Sequence, residues 1–110
     1  MNIQIFGKSK CFDTKKAQRY FKERRVKFQS VDLLKYGISK GELTSVKNAV
    51  GLEALIDTGN PDAALVTYLA YDADKLEKLL EDPRLLKTPL VRNGRQATVG
   101  YCPDVWKTWE

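Results

Sequence analysis

Cys11 has the clearest capacity for chemistry in this chain. It follows a β-like run, Ile3-Gln4-Ile5-Phe6, and a loop, Gly7-Lys8-Ser9-Lys10, and it precedes a helical pattern that starts near Thr14. A thiol on such a strand-to-helix turn meets the unpaired N–H groups of the helix's first turn, which favour an anion. Lys8, Lys10, Lys15 and Lys16 add positive charge nearby. Both influences favour the thiolate, which is the reactive form. The pattern therefore suggests a redox or nucleophilic cysteine. The alternative is a buried cysteine that serves as a small apolar side chain. Histidine is absent, which excludes Ser-His and Cys-His catalysis and most zinc sites. Two cysteines are too few for a disulfide framework or a metal cluster.

The elements that must hold Cys11 follow from periodicity. Residues 2–6 predict a strand whose apolar bias suits a central position. Residues 13–25 predict a helix with Asp13 or Thr14 as N-cap, and residues 26–33 a second strand. Strand, helix and strand in about thirty residues make a parallel unit with a right-handed crossover. The middle of the chain, about residues 36–84, predicts a helical insert. Ser39-Lys40-Gly41-Glu42 is a capping-box pattern that opens a helix ending before Gly51. Thr58 to Asp62 breaks the chain, with Asn60 or Asp62 as the next cap, and residues 63–70 are helical or irregular. Residues 72–82 predict a helix with Leu76, Leu79 and Leu80 on one face, stopped by Pro83. A hairpin then turns at Asn93-Gly94, where both positions tolerate positive φ. A terminal helix over 103–109 follows, with Val105, Trp106 and Trp109 as its apolar positions.

This order, β-α-β, helical insert, β-β-α, is the thioredoxin plan: one α/β domain over 1–110, a four-stranded mixed sheet with helices on both faces. In that plan the reactive thiol occupies the first strand-to-helix turn, where Cys11 stands. Thr88-Pro89 opens the third strand, a position that suits a residue without an N–H. A thioredoxin-like plan predicts a cis bond there, packed beside the cysteine, with the backbone of Thr88 free to bind an extended thiol substrate.

Net charge is +5, unevenly spread. Residues 1–35 carry ten Lys/Arg and three Asp/Glu, and the rest carry nine and eleven. A basic first third suits nucleic acid, an acidic protein surface or an anionic substrate, or is simply a solvated helix face. No interleaved exposed aromatics or reading motif point to nucleic acid. No apolar run approaches the roughly 18 residues of a membrane span, and the first residues lead straight into a strand, so a cytoplasmic protein is expected.

Four segments in order resemble the ArsC/Spx family, the arsenate-reductase-related branch of thioredoxin folds. They are Cys11-Phe12-Asp13-Thr14-Lys15-Lys16-Ala17, Gly51 to Thr58, Leu85-Leu86-Lys87-Thr88-Pro89-Leu90-Val91, and Val99-Gly100-Tyr101. The resemblance implies Cys11 as the essential cysteine. It also implies three arginines that hold an oxyanion, but Gly59, Thr88 and Tyr101 stand at those positions. Arginine suits such a site because its planar fork makes two-point contacts, so their loss removes the oxyanion cradle. Lys8, Lys10 and Arg92 supply charge without that geometry. Spx-like regulators bind the C-terminal domain of the RNA polymerase α-subunit and often carry a C-x-x-C switch, whose second position here is Thr14. Gly51 is the nearest match to their polymerase-region glycine.

The chemistry implied is monothiol: Cys11 attacks a small disulfide or oxidised thiol, and an external thiol such as glutathione or glutaredoxin resolves the adduct. No bound cofactor is expected. Lys8, Lys10, Thr14, Thr88, Pro89 and Tyr101 are the expected substrate-binding residues. Thr14 either donates to the sulfur or only caps the helix. Cys102 either resolves the adduct, if its Cα lies within about 7 Å of that of Cys11, or has no redox role.

Overall fold

The computed structural model describes residues 1–109. The central strand is β1, Ile3–Gly7, with Ile3, Ile5 and Phe6 all buried. It pairs in parallel with β2, Phe28–Asp32, and antiparallel with β3, Leu90–Asn93. β3 pairs antiparallel with β4, Gln96–Val99, giving the order β2-β1-β3-β4. The expected mixed four-stranded sheet is therefore present, with β1 inside it.

Helix α1, Phe12–Glu23, crosses one face and buries Thr14, Ala17, Tyr20 and Phe21. The same face receives α6, Pro103–Trp106, and a 3-10 turn over Lys107–Trp109. The terminal helix is thus shorter than its pattern suggests. Trp106 and Trp109 enter the core with Ile3, Ile5, Phe21 and Val91, whereas Val105 points outward. The Trp106 indole donates to the Thr98 hydroxyl at 2.8 Å, so its one polar atom is satisfied in the core.

The insert covers the other face. It contains α2, Leu33–Tyr36, α3, Lys40–Val50, α4, Ala64–Thr67, and α5, Asp72–Glu81. Phe6 and Leu90 of the sheet pack there with Leu43, Val46, Leu55 and Leu79. The Ser39–Glu42 capping box forms in both directions, and Gly51 ends α3 with φ +89°. The residues just before β3 run beside the earlier part of the insert: Ile56 bridges Leu86, and Lys87 N donates to Leu55 O at 2.8 Å.

Two further local expectations change. Cys11, not Asp13 or Thr14, is the N-cap of α1. Thr14 lies inside the first turn with its side chain against Gly7, where a Cβ would collide with it. In the hairpin, Asn93 pairs with Gln96, so Gly94 and Arg95 form the two-residue loop. Only Gly94 takes positive φ, +61°, the arrangement in which glycine fills the first central position. Among the described residues, no helix is long and apolar enough to cross a membrane.

Candidate functional site

β1 ends at Gly7, the next three residues loop outward, and Cys11 turns the chain into α1. Its N–H donates to Lys8 O at 3.0 Å, which closes the turn, and its carbonyl accepts from Lys15 N at 3.3 Å. The sulfur is half-buried beneath the segment that opens β3. Sγ lies 3.7 Å from Thr88 O, and the Thr88-Pro89 bond that follows is cis, as the plan predicts. Pro89 faces β4 through its carbonyl, which accepts from Gly100 N at 2.9 Å.

Burial alone would push the Cys11 thiol up. The hydroxyls of Thr14 and Thr88 and the backbone N–H groups of Thr14 and Asp13 outweigh it and bring the thiol below its ordinary value. The Thr14 hydroxyl is buried and has no partner beside the neutral thiol. Ionisation of the sulfur turns it into the acceptor that this hydroxyl lacks. Thr14 therefore acts from behind the sulfur and does not face solvent.

The lysines do less for the thiolate than their number suggests. Lys8 lies near enough for its charge and that of the sulfur to favour each other. Its ammonium, however, donates to Arg84 O at 2.9 Å and Leu86 O at 2.7 Å, and burial lowers its proton affinity. Lys8 thus pins the cysteine loop to the chain that leads into Thr88. Lys15 lies over the Phe12 ring and Lys16 over the Tyr101 ring. Lys10 is exposed at the rim.

An open cavity of about 430 Å³ lies over the sulfur, lined by Lys8, Lys10, Cys11, Leu34, Asp57 and Thr88, with Ser9 at its edge. Four of the expected site residues therefore line one cavity, with Thr14 and Pro89 adjoining. Tyr101 is not among the lining residues; it packs edge-on against Trp106 at 5.6 Å. Both cysteines are free. The Cys102 thiol donates to Val99 O at 3.3 Å, and burial raises it. Leu34 and Asp57 belong to the site although nothing local marks them; β2 and the Ile56–Leu86 bridge bring them there. A larger groove, about 690 Å³, lies elsewhere along β2 and α3 and includes Gln4, Gln29 and Glu42. It has no cysteine, and its polar groups bond one another: Gln4 Nε2 donates to both Gln29 Oε1 and Glu42 Oε2.

Residues 6–109 of this chain match the ArsC family. The chain belongs to the ArsC family. It is similar to global transcriptional regulator Spx 2 of Oceanobacillus iheyensis, at 30% identity over 94% of this chain and 80% of that one. This ArsC-family fold superposes on an arsenate reductase from Vibrio cholerae with a TM-score of 0.82, 20% identity, and coverage of 96% and 94%. It also resembles the glutaredoxin-like NrdH-redoxin of Escherichia coli, with a TM-score of 0.54, 15% identity, and coverage of 100% and 96%. The fold is thus the thioredoxin-like α/β plan of the ArsC family.

Proposed function

We propose that this ArsC-family protein is a monothiol oxidoreductase in which Cys11 carries the chemistry. One observation carries the reading: a half-buried sulfur at the head of α1, drawn toward the thiolate by Thr14, Thr88 and two N–H groups, opens into a cavity. The Cys11 thiolate attacks a mixed disulfide of substrate and glutathione at the glutathione sulfur. The new Cys11–glutathione bond forms as the substrate thiolate leaves and takes a proton. A second glutathione thiolate, supplied from solution directly or through glutaredoxin, attacks this adduct. It releases the Cys11 thiolate and carries both sulfurs away as oxidised glutathione. Cys102 has no part in this cycle, since its thiol is raised by burial and engaged with Val99 O.

The test is reduction of a glutathionylated peptide with glutathione as reductant. Wild-type protein should turn it over, and Cys11→Ser should fall to the background rate. Turnover that survives Cys11→Ser would overturn the mechanism.

The likeness to a transcriptional regulator supports a second reading, binding to the RNA polymerase α-subunit. Thr14 replaces the second thiol of a C-x-x-C switch, so such binding would not be toggled by a disulfide within that motif. Pulldown with the isolated α-subunit separates the two readings. Capture that is unaffected by Cys11→Ser, together with no peptide turnover, would favour the regulator.

A further inference from the structure

The outer face of α1 is a row of cations that leads to Cys11. The helix buries Thr14, Ala17, Tyr20 and Phe21, which leaves Phe12, Lys15, Lys16, Arg19 and Lys22 exposed on the opposite side. Phe12 directly follows the cysteine and is 77% exposed. Lys10 adds a cation at the cavity rim. Among the described residues, none of these five cations lies within ion-pairing distance of a carboxylate. Lys15 and Lys16 instead lie over aromatic rings, at 5.8 Å from Phe12 and 5.6 Å from Tyr101. Asp13 is half-buried at the first turn, and Glu23 stands at the far end of the row.

We infer that this face is a docking surface for an acidic polypeptide whose own sulfur exchanges with Cys11. The inference rests on the reading of Cys11 as an exchanging thiol and adds the kind of partner it exchanges with. Three features select that partner. The cations of the helix run from Lys15 to Lys22, about 10 Å along its axis, far enough to meet more than one carboxylate of one chain. Unpaired surface cations steer an oppositely charged partner toward productive encounter. The row ends at a thiol with an exposed phenyl ring beside it, which calls for a ligand with sulfur and apolar surface as well as negative charge. A polypeptide offers all three, and a nucleic acid lacks the sulfur.

The probes are three peptides of equal length, each with one cysteine in disulfide linkage to thionitrobenzoate and flanked by four Glu, four Ser or four Lys. Cys11 thiolate attacks the peptide sulfur. The new Cys11–peptide disulfide forms as coloured thionitrobenzoate leaves with the electron pair. At low salt the Glu peptide should react about tenfold faster than the Ser peptide, and the ratio should approach one in about 1 M salt, where screening acts within about 3 Å. The double variant Arg19→Glu/Lys22→Glu should lose the preference, with Cys11 alkylation by neutral iodoacetamide reporting the state of the sulfur site in the same samples. Equal rates for Glu and Lys peptides, or a preference that survives the double variant, would overturn the inference. If Cys11 does not attack even the Ser peptide, the exchange reading fails. The surface then stands or falls on fluorescence anisotropy with a labelled Glu peptide carrying serine for cysteine. Salt-sensitive binding weakened about tenfold by the double variant supports the surface. No such binding, or displacement by an oligonucleotide of equal charge that binds more tightly, rejects it.

Discussion

Thr14 is nearly the shape of valine, so Thr14→Val removes one hydroxyl while it keeps the packing against Gly7. That hydroxyl is buried without a partner beside the neutral thiol, and it favours the thiolate. The variant should therefore raise the Cys11 thiol toward its ordinary value and slow alkylation near neutral pH several-fold. At high pH, where both proteins are ionised, the rates should converge. A pH profile of iodoacetamide alkylation checks this; superimposable profiles would leave Thr14 a packing residue. The sign for stability follows. A thiol lowered by folding stabilises the fold above its unfolded pKa, and this contribution disappears as pH falls through the lowered value. At this scale Cys11 was legible because its signal is local: a strand, a loop, a thiol and a helix in sequence. Its N-cap role was not, since Asp13 and Thr14 are the better capping types. The difference arises because Thr14 turns inward to Gly7 and Cys11 instead of capping the helix.

The end of α1 shows how an element can close with the less favourable residue. Val26 N donates to Phe21 O at 2.9 Å and Arg25 N to Lys22 O at 3.1 Å, the paired bonds of a Schellman ending. The pattern needs a left-handed residue, and Arg25 supplies it with φ +58°. A side chain there costs about 1 kcal/mol relative to glycine. Arg25→Gly should stabilise the protein by about that amount, read as a rise in the denaturant midpoint with an unchanged slope. Trp106 tests the packing of the same helix on the sheet. It is fully buried against Tyr20 and Phe21, at ring distances of 5.1 Å in each case. Trp106→Ala should cost about 3–5 kcal/mol in denaturant unfolding and leave the Thr98 hydroxyl without its donor. Short-range element signals were legible, as with Ser39 and Glu42, whose side chains and N–H groups meet within one turn. Val105 was misplaced because three apolar positions, Val105, Trp106 and Trp109, do not fix which side of a one-turn helix meets the sheet.

At the scale of the molecule, the site forms where β1 feeds α1 and the insert returns the chain to β3. Lys8 fastens that junction through the carbonyls of Arg84 and Leu86, 76 and 78 residues away. No local pattern could reveal such a contact, nor the arrival of Asp57 in the cavity. Yet Asp57 bears on which substrates the cavity admits. The resemblance to arsenate reductases implies an oxyanion held by three arginines, at positions where this chain has Gly59, Thr88 and Tyr101. Gly59 N donates to Asp57 Oδ1 at 3.2 Å, Thr88 O receives the Cys11 thiol, and Tyr101 packs against Trp106. Arg84 brings no free fork either, because Asp82 and Asp62 hold it. The cavity thus presents a carboxylate and an exposed lysine in place of a guanidinium cradle. A doubly charged tetrahedral anion would meet repulsion from Asp57 with no bidentate donor to offset it. Arsenate should accordingly leave Cys11 alkylation unprotected at millimolar concentration and should not be reduced with glutathione and glutaredoxin present. Asp57→Asn should raise arsenate protection only slightly, because it removes the repulsion without building the cradle. Strong protection of wild-type Cys11, or reduction abolished by Cys11→Ser, would mean that lysines alone hold the anion and would return arsenate to the list of substrates.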